Sequence, residues 1–533
     1  MKAMDKEQQL RKLWRNGRIS RRQFMHQMAA LGAAAAFSGS FFERRAHAAT
    51  PKIGGRVVLG SAGGSTSDDL DIGKLLHTMP QICNQCLRSH LVEIDAAMTP
   101  VPELAESWEP SADASKWIFK LRRGVEFHNG KTLEAADVVH SINYHRGETK
   151  SAGKGLMDPV KDVRADGKYA VVFELNEGNA DFPIILSDHH MAIVPDGTEG
   201  KAFAKGIGTG PFILQKYEPG VRFTARRNPN YFKSGRPYFE AVEILSIADV
   251  NARTSALKSG QVDVMNRCEV KTFHLMQKVP GLETLALNGA KHYSIPMLTN
   301  VKPYNDNDVR LALKYGMDRE HLLKQLLLGF GYVGNDHPIA KINRYYAHEI
   351  PIRRYDPDKA RYHMKKAGLL DHEFKLHAAD AAFGGAIDAA VLIREHAAKA
   401  GINIKVVREP DDGYWSNVWM KKDWCMSYWM GRPSEDMMFS IAYAADASWN
   451  ETFWRHERFN RLLKEARPIL DQEKRRAIYV ELQRICRDEG GSPIPVFAQD
   501  LMAAKDTLGH APQVAANYEF DGLRLPERWW FKS

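Results

Sequence analysis

The sequence contains little cysteine and, beyond its first 48 residues, no long apolar run. Only five cysteines occur among 533 residues, and an odd number leaves at least one thiol without a partner in the chain. No later apolar stretch approaches the roughly 18 residues that a membrane-spanning helix needs. The chain after residue 48 is therefore expected to be a soluble protein.

Motifs for cofactor binding and catalysis are also missing. Gly206–Phe212 contains G-x-G, but Pro211 and a β-rich run follow it, whereas a dinucleotide site needs a helix at that place. The sequence has no P-loop, no H-E-x-x-H and no G-x-S-x-G. The pairs His189–His190 and His372 with His377 are loosely spaced, and we interpret them as solvated histidines. We therefore predict no enzyme, no cofactor and no metal site.

Cys83 and Cys86 form the one C-x-x-C pair of the chain. With His90 nearby they could serve as a redox or metal pair, although a single C-x-x-C is a weak zinc signal. The surrounding residues have a helical pattern, in which small apolar cysteines usually pack. Packing is the favoured interpretation, and a disulfide in an oxidising compartment stays open.

The N-terminus has the features of an export signal. A polar, basic segment precedes Ser20–His26, an apolar stretch follows, and Ala46–Ala48 reads small-x-small. The paired arginines of SRRQFM resemble the twin-arginine translocation motif, which implies cleavage after Ala48 and a periplasmic protein. The first 48 residues hold ten of the 74 Lys/Arg and three of the 65 Asp/Glu, so the remainder has a net charge of only +2. A nucleic-acid partner is not expected.

The patterns after the signal are those of an α/β protein. Lys116–Gly124 alternates apolar and polar residues, which predicts a strand with one buried face. Asp166-Gly167 predicts a hairpin turn. In the second half, Asp318 and Asp356 are candidate helix caps, and helices alternate with strands. The punctuation between these elements favours two closely associated α/β lobes.

Five blocks resemble the family 5 extracellular solute-binding proteins, the dipeptide, oligopeptide and nickel receptors of ABC importers. They follow one another in the family's order, ahead of a helical close and SPIPVF. The blocks are Pro102–Ser141, Gly206–Phe232, Ala256–Val264, Pro303–Gly329 and Tyr355–Leu369. The resemblance implies a two-lobe periplasmic binding protein fold with an extra subdomain in the first lobe. The two lobes would be joined by a hinge and would close on a buried ligand.

The resemblance also implies a division of the chain into domains. Residues 1–48 would be the signal peptide. The core of the first lobe would comprise residues 49–86, 200–299 and 506–533. The extra subdomain would be residues 87–199, and the second lobe residues 300–505.

The function that the resemblance implies is capture of a peptide or peptide-like solute for delivery to an ABC permease and ATPase, by a monomer. An opine-like or other carboxylate-bearing solute, or a metal chelate, is the alternative cargo. An exported enzyme or a solute sensor on the same fold is the alternative function. Either alternative keeps the fold and changes only what happens after binding.

The same resemblance indicates where the ligand binds. The strand before Trp429-x-Gly431 would bring its next residues to the cleft, where Arg432 replaces the aspartate with which dipeptide receptors hold an α-ammonium. The internal alternative pairs Arg432 with Glu435 or Asp436. The external alternative makes it a bidentate clamp on an anion of the cargo, with Trp429 as a flat wall. The expected ligand-binding residues are Trp429, Gly431, Arg432, Asp436, Ser65 and Thr66.

Overall fold

The structure is a computed structural model that describes residues 50–533, and the predicted signal segment lies outside these residues. The helices are α1 Thr78–Leu87, α2 Ala135–Asn143, α3 Lys154–Met157, α4 Phe182–Ile185, α5 Val250–Ser259, α6 Val270–Met276, α7 Asn307–Tyr315, α8 Arg319–Leu326, α9 Pro357–Lys366, α10 Ala386–Ala398, α11 Tyr414–Asn417, α12 Glu435–Ala442, α13 Glu457–Ala466, α14 Gln472–Glu489, α15 Glu519–Gly522 and α16 Leu525–Arg528. Within the described range, none of these helices combines the length and apolar character of a membrane span.

The strands number β1 to β22 in chain order. They are β1 Pro51–Lys52, β2 Arg56–Ser61, β3 Val92–Ile94, β4 Pro100–Pro102, β5 Ala105–Pro110, β6 Lys116–Leu121, β7 Val160–Ala165, β8 Ala170–Leu175, β9 Phe212–Glu218, β10 Arg222–Arg227, β11 Ala241–Ser246, β12 Val264–Met265, β13 Leu282–Leu287, β14 His292–Ser294, β15 Gly331–Val333, β16 Glu373–Ala378, β17 Asn403–Arg408, β18 Ser427–Trp429, β19 Val496–Ala498, β20 Asp500–Lys505, β21 Leu508–Gly509 and β22 Trp530–Lys532. This mixture confirms the predicted α/β class.

A seven-stranded sheet forms the centre of the first lobe, in the order β13-β20-β12-β2-β11-β10-β9. Strand β2 pairs in parallel with both β11 and β12. Its residues Val57, Val58 and Leu59 are all buried, because apolar clusters cover both faces of the sheet at this point. A continuous apolar run rather than alternation is the sequence pattern that such a strand requires.

The extra subdomain is built on a four-stranded antiparallel sheet, β5-β6-β8-β7. Trp117, Phe119 and Leu121 of β6 are buried, as the alternation of the sequence predicts. Strands β7 and β8 form the predicted hairpin, and Gly167 at its turn has a φ of 72°, a value that favours glycine.

The second lobe contains the four-stranded sheet β15-β19-β14-β18, the parallel pair β16-β17 and helices α7 to α14. The Asp318 carboxylate accepts a hydrogen bond from the backbone N–H of His321 at 2.9 Å. Asp356 accepts one from the backbone N–H of Lys359, also at 2.9 Å. Both predicted helix caps are therefore confirmed.

The chain crosses between the two sheets at two places that form the hinge. One crossing is residues 288–291, between β13 and β14, and the other is Gln499, between β19 and β20. The Gln499 side-chain amide donates to Oδ1 of Asn288 at 3.0 Å and joins the crossings. The predicted division placed residues 292–299 in the first lobe and 500–505 in the second; in the structure β14 pairs with β18 and β19, and β20 pairs with β12 and β13. A short apolar strand has the same sequence pattern in either sheet, so only its partners reveal its lobe.

Six buried or largely buried charges attach the C-terminal segment to the first lobe. This ionic cluster consists of Glu93, Glu103, Lys233, Arg524, Glu527 and Arg528. The Arg524 guanidinium donates to both oxygens of Glu103, at 2.7 and 2.8 Å. The Lys233 ammonium donates to Glu93 at 2.5 Å and to Glu527 at 2.8 Å. Three cations therefore match three carboxylates inside the protein.

Candidate functional site

A pocket of about 480 Å³ lies beside the hinge, between the two sheets. This hinge pocket is lined by Arg267, Asp500 and Glu519 from the first lobe, Lys291 from a crossing, and Tyr293, Phe383, Tyr428 and Met430 from the second lobe. The rings of Tyr293 and Phe383 stack at 3.8 Å with an interplanar angle of 3°. A second cavity of about 750 Å³ shares Arg267 and Tyr293 with it. These volumes suit a small organic solute.

The wall that the second lobe contributes depends on the register of β18. Successive side chains of a strand point to opposite faces, so Ser427 and Trp429 point into the second lobe while Tyr428 and Met430 point to the pocket. Trp429 is only 7% exposed and packs in an apolar cluster. It does not line the hinge pocket, where Tyr428 and Met430 form the wall that the sequence suggested for it.

Gly431 marks a close approach of backbone to backbone. A Cβ atom at this position would lie 2.0 Å from the Cβ of Ala290 in the first crossing. Any larger residue would push the end of β18 away from the hinge. This glycine therefore sets the position of the residues that follow it, beginning with Arg432.

The guanidinium of Arg432 has no acidic partner at ion-pair distance within residues 50–533. Its Nη1 donates to the backbone oxygens of Met430 at 2.9 Å and Gly431 at 3.2 Å. Glu435 instead accepts from the backbone N–H of Tyr345 at 2.5 Å. Arg432 therefore does not pair with Glu435, which was one of the two internal partners considered for it.

Asp436 is engaged elsewhere in the same way. It is buried and accepts from Nε of Arg467 at 3.0 Å, so it neither pairs with Arg432 nor lines the hinge pocket. Burial lowers the pKa of the Arg432 guanidinium, and Tyr518 and Asp188 of the first lobe partly offset this effect. Arg432 is therefore influenced by groups of the first lobe and pairs with neither acid of the helix that follows it.

Asp188 belongs to a buried group that includes two histidines. His189 and His190 are 8% and 9% exposed, which corrects the interpretation of this pair as solvated. The backbone N–H of His190 donates to Oδ1 of Asp188 at 3.0 Å, and its ring Nδ1 lies 2.8 Å from the same oxygen. The ring of His189 meets Tyr518 edge-on at 5.7 Å. Spacing alone gave no sign of this burial, because the covering residue Tyr518 is distant in sequence.

Ser65 and Thr66 lie on the loop after β2. Ser65 is half-buried and donates its backbone N–H to Asp68 at 2.7 Å, while Thr66 is exposed. Neither residue lines the hinge pocket, although Gly63 of the same loop would place a Cβ 3.6 Å from Nη1 of Arg267. The loop therefore borders the pocket at its Arg267 side.

Two of the four charged residues in the hinge pocket are satisfied by protein groups. Nε of Arg267 donates to Glu519 at 2.6 Å. Asn266 and Thr78 donate to the other oxygen of Glu519, at 2.9 and 3.0 Å. This acid is therefore fully used inside the protein.

The other two, Lys291 and Asp500, are open charges. Within residues 50–533 neither side chain makes a hydrogen bond or an ion pair; the Lys291 ammonium lies 5.8 Å from the Tyr428 ring, and Asp500 acts on it from beyond ion-pair distance. Burial lowers the pKa of Lys291 and raises the pKa of Asp500 to about 6. Sequence reasoning missed both residues. The available signal was a charge beside each of two short apolar strands, Lys291 before β14 and Asp500 after β19.

The five cysteines are all buried and free, including Cys83 and Cys86 of the C-x-x-C pair. Burial raises the pKa of both of these thiols. It also raises the pKa of Cys268, in the wall of the hinge pocket, to about 12. A protonated, buried thiol behaves as a small apolar group. The favoured interpretation of the C-x-x-C pair as packing agrees with this.

Two sheets joined by two crossings, with a charged pocket beside them, define a hinged solute-binding protein. Residues 99–451 match the sequence pattern of the family "Bacterial extracellular solute-binding proteins, family 5 Middle". The chain belongs to this family. Its role is therefore that of a protein that binds a solute.

Known relatives cover most of the chain. The dipeptide-binding protein of Escherichia coli (strain K12) is 27% identical over 495 residues, which span 82% of this chain and 89% of that protein. The structure of AgaA from A.tumefacien R10 in complex with agropinic acid aligns with a TM-score of 0.73 at 22% identity, covering 90% of this chain and 99% of that one. NikZ from Campylobacter jejuni in complex with Ni(L-His) gives 0.72 at 20% identity, covering 89% and 99%. At these identities the two structures establish the fold.

Proposed function

We propose that the protein captures a peptide-like solute bearing an anionic group, and that Arg432 binds this group in the cleft. The observation that carries the proposal is the guanidinium without an acidic partner beside the hinge pocket, whose wall residue Met430 accepts one of its hydrogen bonds. A largely desolvated guanidinium without a fixed anion is costly, and a ligand carboxylate would supply one. Trp429, Asp436, Ser65 and Thr66 would then support the site from outside the pocket.

The names of the relatives support a broad choice of cargo. A dipeptide, agropinic acid and a nickel–histidine chelate are bound by the proteins named above. Arg432 stands where the resemblance places an aspartate that holds a peptide's α-ammonium, so the charge at this position is reversed. A cargo with an additional carboxylate fits this reversal better than an ordinary neutral dipeptide.

Substitution of Arg432 tests the proposed clamp. Arg432→Ala should weaken binding of the bound solute about tenfold or more, because a charge-assisted bidentate contact contributes roughly 1.5–3 kcal/mol. Arg432→Lys keeps the charge without the planar fork and should lose less. Calorimetry would show the difference. Equal affinity of the wild type and both variants would mean that the guanidinium serves the protein alone.

Export by the twin-arginine route belongs to the same proposal. Residues 20–26 carry the motif, and the working compartment would be the periplasm. Changing both Arg21 and Arg22 to Lys should retain the protein in the cytoplasm, as fractionation of cells would reveal. Mature protein in the periplasm of this variant would remove the twin-arginine assignment.

The mode of action is closure without catalysis, by a monomer. The two crossings allow the lobes to rotate, and a ligand that binds the closed form more tightly shifts the population toward it. X-ray scattering at saturating solute should therefore show a smaller radius of gyration at unchanged molecular mass, and the solute should be recovered intact. An unchanged profile with bound solute would contradict the closing mechanism.

A further inference from the structure

The charged residues of the hinge pocket differ in whether a protein group pairs with them. Arg267 and Glu519 satisfy each other, with Asn266 and Thr78 adding hydrogen bonds to the carboxylate. Lys291 and Asp500 line the same pocket and lack such partners among the described residues. A protein that needed these two charges only for stability would pair them, as it pairs the first two.

The positions of the open charges explain why they act on each other without an ion-pair contact. Lys291 ends one crossing and Asp500 follows the other, so each is fixed by a different part of the hinge. The Asp500 carboxylate rests against Gly289, where a Cβ would come within 2.7 Å of Oδ2. Lys291 extends toward the Tyr428 ring. The two side chains therefore line one cavity without forming an ion pair.

We propose that Lys291 and Asp500 determine the specificity of the cleft, and that the cargo carries a carboxylate for Lys291 and an ammonium for Asp500. The inference rests on the proposed function, since it assigns the chemistry of the same cleft. Lys291 supplies three donors and Asp500 only acceptors, so the two ligand groups cannot exchange places. The stacked pair Tyr293–Phe383 and the ring of Tyr428 favour a flat or apolar part between them.

Arg432 extends this description of the cargo. Its Nη1 donates to the backbone oxygen of Met430, which lines the hinge pocket, while the first-lobe groups that act on the guanidinium are Tyr518 and Asp188. Under the proposed function, Arg432 binds a carboxylate in addition to the one at Lys291. A cargo that meets these two cations and Asp500 carries two carboxylates and one ammonium, as an acidic peptide or an N-carboxyalkyl amino acid does.

Binding of the cargo should weaken as the pH is lowered. Glu519, Lys291 and Arg267 are the charged groups that act on Asp500, and burial raises its pKa to about 6. Below this pH the carboxyl group is neutral and loses its attraction for an ammonium. Affinity should therefore fall as the pH is lowered from 7.5 to 5, and this fall should be absent in Asp500→Asn.

The test uses dipeptides that contain glutamate, each in four forms: free, N-acetylated, C-amidated, and blocked at both ends. Thermal shift identifies the forms that bind the mature protein, and calorimetry measures their affinity. The free forms should bind, and each single block should weaken binding about tenfold or more. Lys291→Met should weaken binding of the free form but should not weaken binding of the amidated form any further. Asp500→Asn should likewise weaken binding of the free form and leave binding of the acetylated form unchanged. The exposed residues Lys365 and Asp371 provide the matched control variants Lys365→Met and Asp371→Asn.

Each outcome of this test has a meaning. Blocked forms that bind as well as free ones, or variants that bind all forms like the wild type, would overturn the assignment of Lys291 and Asp500 and leave the receptor function standing. Failure of every form to bind would overturn the inference together with a peptide-like cargo. Retention of the double-mutant pattern described above is the result that supports it.

Discussion

Two regions of this protein bury charge, and they do so in opposite ways. The ionic cluster beneath the C-terminal segment matches three cations with three carboxylates at short distances. At the hinge, Lys291, Asp500 and Arg432 are half-buried without such matching. The difference teaches that burial of charge by itself does not reveal a binding site. Incomplete pairing next to a cavity does.

The largest effect is expected where the pairing is complete. Arg524→Met would leave Glu103 and Glu527 without their guanidinium, so the free energy of unfolding should fall by about 3–5 kcal/mol in urea denaturation. The exposed Arg394→Met serves as the control and should change little. Affinity for the cargo in the folded variant should stay as in the wild type. A loss below about 1 kcal/mol would show that the cluster is not tightly paired.

Glu435 is an intermediate case, buried with only a backbone donor on its side chain. Burial raises its pKa to about 7, and Asp181 and Arg475 are the nearby charges that act on it. The folded state therefore keeps a proton that the unfolded state releases, and the unfolding free energy should fall as the pH rises from about 4.5 to 7. Glu435→Gln should remove about 3 kcal/mol of this dependence. Parallel pH curves for both proteins would contradict the raised pKa.

The smallest change in the free energy of unfolding is expected for a substitution at the hinge, and this change should be a gain rather than a loss. Asp500 also has a raised pKa, so its ionised form opposes folding above about pH 6. Asp500→Asn should therefore raise the unfolding free energy at pH 7.5, by about 1 kcal/mol, while it weakens cargo binding. This opposition develops between the ordinary pKa of 3.8 and about 6, so urea denaturation of the ligand-free protein at pH 5 and 7.5 should show a larger gain at the higher pH. A loss of stability at both values would place Asp500 in a structural pair after all.

Local features of the fold could be predicted from the sequence because they depend on neighbours in the chain. The caps Asp318 and Asp356 and the turn at Gly167 involve residues within a few positions. The family resemblance added the two lobes. The partners of β14 and β20 could not be predicted in this way, because strand pairing links residues that are far apart in sequence.

The site was predicted less well for the same physical reason. The approach of β18 to the cleft followed from the resemblance, but its register decides whether Trp429 or Tyr428 faces the pocket. Lys291 and Asp500 are 209 residues apart as numbered, and their lack of partners exists only in three dimensions. Alternation in the sequence identifies two faces of a strand without saying which one borders a cavity.

The most direct test of the central claim is mass spectrometry of the small molecule that the mature protein retains on purification. The wild type and the two exposed-residue controls should release the same compound, with at least one carboxylate and one amine. Arg432→Ala, Lys291→Met and Asp500→Asn should retain much less of it. A retained compound without ionisable groups, or equal retention by all six proteins, would show that the open charges of the hinge do not bind the cargo.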